Sequence, residues 1–145
     1  MWAHLLAIRD GLSAEDSAAA AELSAIIEVI EGYGHWLDGD AEATYEALRD
    51  FDDSRGGAER GNQWWGPLLI DVGRPAEAIP YLVAERSRPI AHLYLGHAYE
   101  ALGRDAEARV AYEFFLAWWG EADPEFEPLL AEAREGLERI ARRLN

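Results

Sequence analysis

The side chains best suited to metal or acid–base chemistry in this 145-residue sequence are four histidines and 28 carboxylates. His92 and His97 are five residues apart, so on a helix they would not share one face as a metal-binding pair four residues apart does. His4 and His35 have no ligand-like neighbours in the sequence. Cysteine is absent, which excludes disulfides and thiolate metal sites. We therefore predict that the protein has no metal site.

An acidic stretch at Glu121, Asp123, Glu125 and Glu127 has the alternating spacing that calcium ligands can show. It lacks the central Gly and the terminal Glu of a calcium loop, and Pro124 interrupts it, so we predict a solvated turn before a helix. The sequence contains no phosphate-binding glycine loop after a strand, no nucleophile elbow and no Cys–His pair. These patterns predict neither an enzyme nor a cofactor.

The charge is strongly unbalanced: 28 Asp and Glu face 13 basic residues, for a formal net charge of −15. Such a surface repels phosphate backbones, which disfavours nucleic acid as a partner and mildly favours a basic protein or peptide. All the basic residues are Arg, as is typical of a GC-rich bacterial genome. No apolar run approaches the roughly 18 residues that a membrane span needs, and residues 1–4 do not begin a signal peptide. We expect a cytoplasmic protein that does not bind membranes.

Apolar residues recur at helical spacing between Pro and Gly positions, and no segment alternates as a β-strand would. The charged segment from Asp52 to Gly61 is typical of a loop. We predict a short helix over Trp2–Asp10 and a second helix that starts near Ser13. The second helix has an apolar stripe at Ile26, Ile27, Ile30 and Tyr33. A third helix covers Ala41–Phe51, several more follow in the second half, and a C-terminal helix starts at Asp123-Pro124.

The second half of the sequence repeats itself. Trp65-Gly66 matches Leu95-Gly96, and the segment from Gly73 to Ala78 matches the segment from Gly103 to Ala108, both at an offset of 30 residues. A weaker copy of the second motif runs from Asp38 to Ala43. Two matches at one offset indicate a structural repeat.

The stretch Leu95-Gly96-His97-Ala98-Tyr99 resembles the first helix of a tetratricopeptide repeat. Gly103 matches the turn of that family, Ala108 the small residue where its two helices cross, and Tyr112 the aromatic residue of its second helix. Gly96 and Ala108 allow helices to approach closely, and Gly103 can end a helix in the left-handed conformation.

A looser copy, from about residue 59 to 87, keeps Gly66, Gly73, Ala78 and Leu82. Its period of 30 is four residues short of the family's 34, so its second helix should be about one turn shorter. The resemblance implies an all-α, helical-hairpin solenoid with a C-terminal capping helix. We predict one domain over residues 1–145: degenerate helices at 1–52, two hairpins at 59–120 and the capping helix at 123–145.

In this family the first helix of each hairpin lines a concave groove that binds a peptide or protein. The resemblance therefore implies protein–protein interaction as the function. It places these partner-binding residues in the groove: Arg60, Gln63, Trp64, Pro67, Asp71, Leu93, His97 and Glu100. Ile70, Ile90, Tyr94 and Ala101 share the same helix faces. The family's chaperone-tail clamp uses Lys, Arg and Asn where this chain has Gln63, Pro67, Leu93 and His97, so that subtype is not expected.

Two alternative functions stay open. One is a regulatory segment of a larger bacterial kinase or transcriptional regulator. The other is a small-ligand-binding helical protein with a pocket around Trp36, Trp64, His35 and His97. We expect Phe114, Phe115 and Trp118 to pack against the capping helix, and a homodimer through the N-terminal helix is compatible with the sequence.

Overall fold

The computed structural model of the chain describes Ile8, Gly11 and residues 17–54, 64–119 and 124–144. These residues form helices and turns with no strand among them, which confirms the all-α prediction. The helices are α1 (Ser17–Leu37), α2 (Ala41–Ser54), α3 (Trp65–Asp71), α4 (Pro75–Ala84), α5 (Pro89–Ala101), α6 (Asp105–Trp119), a 3₁₀ turn (Pro124–Phe126) and α7 (Glu127–Leu144).

The chain divides into two compact units, Met1–Gly56 and Gly57–Asn145. In the first unit α1 packs antiparallel on α2, with Ile27, Tyr45 and Leu48 buried between them. Ile27 is buried, whereas Ile26, Ile30 and Tyr33, the other residues of the apolar stripe expected on α1, are exposed. In the second unit, the hairpins α3/α4 and α5/α6 pack in succession, and α7 packs against α5 and α6.

The same turn closes all three hairpins. Its glycine has a left-handed φ of 78° at Gly39, 74° at Gly73 and 69° at Gly103, a conformation that residues with a Cβ rarely adopt. The residue after each glycine donates its backbone N–H to the carbonyl five residues earlier, as in a Schellman helix end. These bonds join Asp40 to His35 at 2.9 Å, Arg74 to Leu69 at 2.7 Å and Arg104 to Tyr99 at 2.8 Å.

Each hairpin is also held together at one point of close approach between its helices. A glycine of the first helix faces a large side chain sixteen residues later in the second helix, and a Cβ on the glycine would lie less than 3.0 Å from that side chain. The three pairs are Gly32 with Leu48, Gly66 with Leu82, and Gly96 with Tyr112. The same glycine contact and the same glycine turn thus recur in all three hairpins, including the one at residues 17–54.

A hydrophobic core lies where α7 covers the α5/α6 hairpin. The Tyr112 ring is completely buried between Gly96 of α5 and Gly136 of α7, and Phe115, Leu130 and Ile140 pack around it. The side of α7 that carries Leu130, Ala133 and Ile140 is thus buried. The helix itself begins at Glu127, after the 3₁₀ turn that Pro124 starts.

The prediction for the aromatic residues of α6 was partly wrong. Phe115 and Trp119 face α7, and Trp119 packs against Phe126 with ring centroids 4.7 Å apart. Phe114 and Trp118 instead lie on the outer side of α6, and both are exposed. Both sides of α6 carry bulky apolar residues, so helical periodicity alone does not distinguish the inner side from the outer one.

Candidate partner-binding face

The first helices of the C-terminal unit lie side by side: α3 contacts α5, and α5 contacts α7. We call the surface that they share the first-helix face. Trp64, just before α3, is 51% exposed, Pro67 is half-buried, and Asp71 at the end of α3 is exposed. Arg60 and Gln63, the other residues predicted here, lie outside the described part of the chain.

Three polar side chains from two helices meet on the first-helix face, and a fourth, from α3, lies near them. His97 of α5 lies 3.8 Å from Glu132 of α7, measured from Nε2 to Oε2. The Tyr94 ring meets the His97 ring edge-on, with centroids 6.0 Å apart, and Asp71 of α3 is close enough to act electrostatically on both. We call Asp71, Tyr94, His97 and Glu132 the His97 cluster. Glu132 was not predicted as a site residue because it belongs to the capping helix, and the predicted groove included only the first helices of the two hairpins.

Partial burial shifts the pKa values of three residues of the His97 cluster: His97, Asp71 and Tyr94. It lowers the pKa of His97, against the opposing influence of Glu132 and Glu100, and it raises the pKa of Asp71, against His97. Burial also raises the pKa of Tyr94, as do the charges of Glu132 and Asp71. The histidine is therefore held toward its neutral form beside two carboxylates. The cluster presents hydrogen-bond acceptors and negative charge to an approaching group.

Two of the predicted partner-binding residues are interior residues in this structure. Leu93 is completely buried in the core with Ala108 and Phe115, so the expectation that its side chain lines an open groove is wrong. The side chain of Glu100 is 13% exposed, and both of its carboxylate oxygens are already bound by neighbouring side chains. Because α7 packs onto α5 and α6, the side chains of Leu93 and Glu100 are occupied by contacts within the protein.

Glu100 is the centre of an ion-pair cluster that fastens α7 to α5 and α6. Arg139 donates to both carboxylate oxygens at 2.9 and 3.0 Å, and the Tyr112 hydroxyl donates to one of them at 2.9 Å. Arg143 donates to Glu100 at 3.2 Å and to Asp105 at 2.7 Å. Burial acts to raise the pKa of Glu100, but the hydrogen bonds from Arg139, Tyr112 and Arg143 outweigh it and lower that pKa to about 2.

No protein-family model, curated protein or solved structure matches the chain. Over the described residues, no group of three or more histidine or carboxylate side chains is arranged to hold a metal ion. None of the described helices is both long enough and apolar enough to cross a membrane.

A cavity of about 410 Å³ lies between α5 and α6. It is lined by His92, Leu95 and Tyr99 of α5, which helical spacing places on the side of α5 opposite His97. Four residues proposed from the sequence for a ligand pocket, Trp36, Trp64, His35 and His97, are not among its lining residues.

Proposed function

We propose that the chain is a protein-interaction module that binds a peptide or protein over the first-helix face, and that the partner places a basic side chain at the His97 cluster. The observation that carries this proposal is the contact of His97 with Glu132 and with the Tyr94 ring on a partly exposed face, with the charge of Asp71 near them. A Lys or Arg of the partner can donate to the two carboxylates while its aliphatic part packs on the Tyr94 ring.

The net charge of −15 supports a basic partner, because it attracts cationic segments before contact. Exposed charge pairs contribute mainly to the association rate and to specificity, so aromatic contact must supply much of the affinity. Trp64 precedes α3 and Asp71 ends it, which separates them by about 10 Å along the helix axis. A bound segment that reaches both residues would combine an aromatic contact with a charged one.

An array of basic, neutral and acidic peptides tests the proposal directly, with binding to the intact chain read by fluorescence and confirmed by anisotropy. For the best peptide we expect the double variant Asp71→Asn with Glu132→Gln to weaken binding about tenfold or more. The charge-matched control is Asp50→Asn with Glu138→Gln, which alters two exposed carboxylates outside the His97 cluster.

The outcomes separate the two parts of the proposal. If both double variants weaken binding equally, overall charge and not the His97 cluster is responsible. If Trp64→Ala combined with His97→Ala leaves binding unchanged while circular dichroism shows an intact fold, the first-helix face is not the binding surface.

A further inference from the structure

The outer side of α6 carries an exposed apolar stripe that the first-helix face does not use. Ala106, Val110, Phe114 and Trp118 recur at every fourth position, which places them on one side of the helix. Val110 is 63% exposed, Phe114 42% and Trp118 59%. We call these four residues the outer stripe. Exposed apolar surface of this extent on one helix is characteristic of a contact surface.

The open cavity between α5 and α6 borders the outer stripe and widens this apolar surface. Ala106, Val110 and Phe114 form one wall of the cavity, and the Phe114 ring stacks on His92 of the other wall with centroids 4.1 Å apart. Among the described residues, no Cα atom of α4 lies within 8 Å of a Cα atom of α6. At 10 residues, α4 is shorter than the 15-residue α6. The outer side of α6 is therefore left uncovered by the preceding hairpin.

Side-chain size increases along the outer stripe, from Ala106 through Val110 and Phe114 to Trp118. When two copies of such a helix pack antiparallel about a two-fold axis, the largest residue of one copy meets the smallest of the other. Trp118 then lies against Ala106 at the edge of the cavity, and Phe114 lies against Val110. A graded stripe is thus complementary to itself in the antiparallel orientation, as an isologous interface requires.

The charges beside the outer stripe fit the same arrangement. Arg109 and Glu113 are four residues apart on the border of the stripe that faces away from α5, and neither forms an ion pair with a residue in the described ranges. In an antiparallel helix pair the same border of each helix faces its counterpart. With Phe114 opposite Val110, Arg109 of one copy lies about 3 Å along the helix axis from Glu113 of the other, twice, and its long side chain spans that offset. We propose that a second copy of this chain binds the outer stripe and forms an antiparallel, two-fold dimer through α6.

The strength of association depends on two opposing effects. A contact centred on one helix per copy lies at the lower end of specific interfaces, and two chains of charge −15 repel each other at low salt. We therefore expect a dissociation constant on the order of 10 µM near physiological ionic strength, becoming tighter as salt is raised.

Sedimentation equilibrium of the full chain over about 1 to 200 µM covers this range of affinity. The expected mass rises with concentration from 16.2 kDa to twice that value. Phe114→Glu, which puts a charge in the centre of the outer stripe, should keep the chain monomeric throughout. Glu138→Arg reverses an exposed charge on α7 away from the stripe and, because it lowers the net negative charge, should not weaken the association.

A charge-swap experiment tests the orientation. Arg109→Glu alone and Glu113→Arg alone each place like charges opposite each other and should weaken self-association about tenfold or more. Mixing the two single variants pairs the two acidic residues of one chain with the two basic residues of the other, so the mixture should associate. In the mixture, residues 109 and 113 of each chain still carry the same charge as each other within α6. A change in helix stability therefore cannot explain a recovery of association.

A wild-type chain that stays monomeric at about 200 µM overturns the proposal. This holds even if the outer stripe then binds an amphipathic helix of another protein or a small apolar ligand. A dimer that survives Phe114→Glu overturns it as well, because the contact then lies elsewhere. A dimer that Phe114→Glu abolishes, but whose single-charge variants do not recover on mixing, overturns the antiparallel arrangement.

Discussion

Neutralising Glu100 should loosen the attachment of the capping helix in a way that depends on pH. Its carboxylate accepts hydrogen bonds from Arg139, Arg143 and Tyr112, which lower its pKa from 4.5 to about 2. Because the folded pKa lies below the unfolded value, the carboxylate stabilises the fold above about pH 4.5. This stabilisation is lost as the pH falls from about 4.5 toward 2.

The structure sets the size of the effect. Each unit of pKa difference corresponds to about 1.4 kcal/mol, so the full difference corresponds to an upper limit of about 3.4 kcal/mol. The Arg139 and Arg143 side chains are 41% and 43% exposed, so solvent screens their charges. We therefore expect Glu100→Gln to lower the free energy of unfolding at pH 7 by about 2 kcal/mol.

Urea unfolding followed by tryptophan fluorescence at several pH values measures this difference. The gap in unfolding free energy between wild type and Glu100→Gln should shrink to less than half of its pH 7 value by about pH 3. Glu107→Gln removes the carboxylate of an exposed pair with Arg104 and should leave the urea midpoint nearly unchanged. A gap that stays constant from pH 7 to pH 3 would refute the role given to the Glu100 charge.

Three further predictions concern single positions. Gly96→Ala should lower the free energy of unfolding by about 1–3 kcal/mol, because the new Cβ meets the Tyr112 ring. Gly34→Ala has open space around it and should raise that free energy by about 0.5–1 kcal/mol. Thermal unfolding of the two variants compares them. Phe115→Ala should cost about 3–5 kcal/mol and its neighbour Phe114→Ala about 1 kcal/mol, as chemical denaturation would show. An NMR titration should give His97 a pKa below 6.5, which Glu132→Gln lowers further; the stability linked to His97 is then complete above about pH 6.5 and decreases as the pH falls toward its folded pKa.

The hairpins could be predicted from the sequence because their turns depend on local residues. The candidate site could be predicted only in part, because it depends on packing between helices far apart in the chain. Gly73 and Gly103 identify their turns because a left-handed residue closes each helix. The 30-residue period predicted a second helix about one turn short, and α4 has 10 residues where α6 has 15. The position of Leu93 depends on how far α5 is rotated toward its neighbours, and one residue corresponds to about 100° on a helix. Glu132 joins His97 from a helix 35 residues further along the chain, a contact that no local pattern encodes.

The short length of α4, 10 residues against 15 in α6, also suggests how this surface could be remodelled. Removing four residues shortens a helix by about 6 Å but rotates the next helix by only about 40°, so α5 still presents its proper side to α3. The turn after α4 accepts a bond from His92 at the edge of the cavity, with His92 Nε2 2.9 Å from the Arg86 carbonyl. An insertion of four helix-forming residues after Ala84 would therefore lengthen α4 at this edge of the cavity and leave the glycine turns intact. Whether the chain pairs or stays single could thus be tuned by the length of one helix alone.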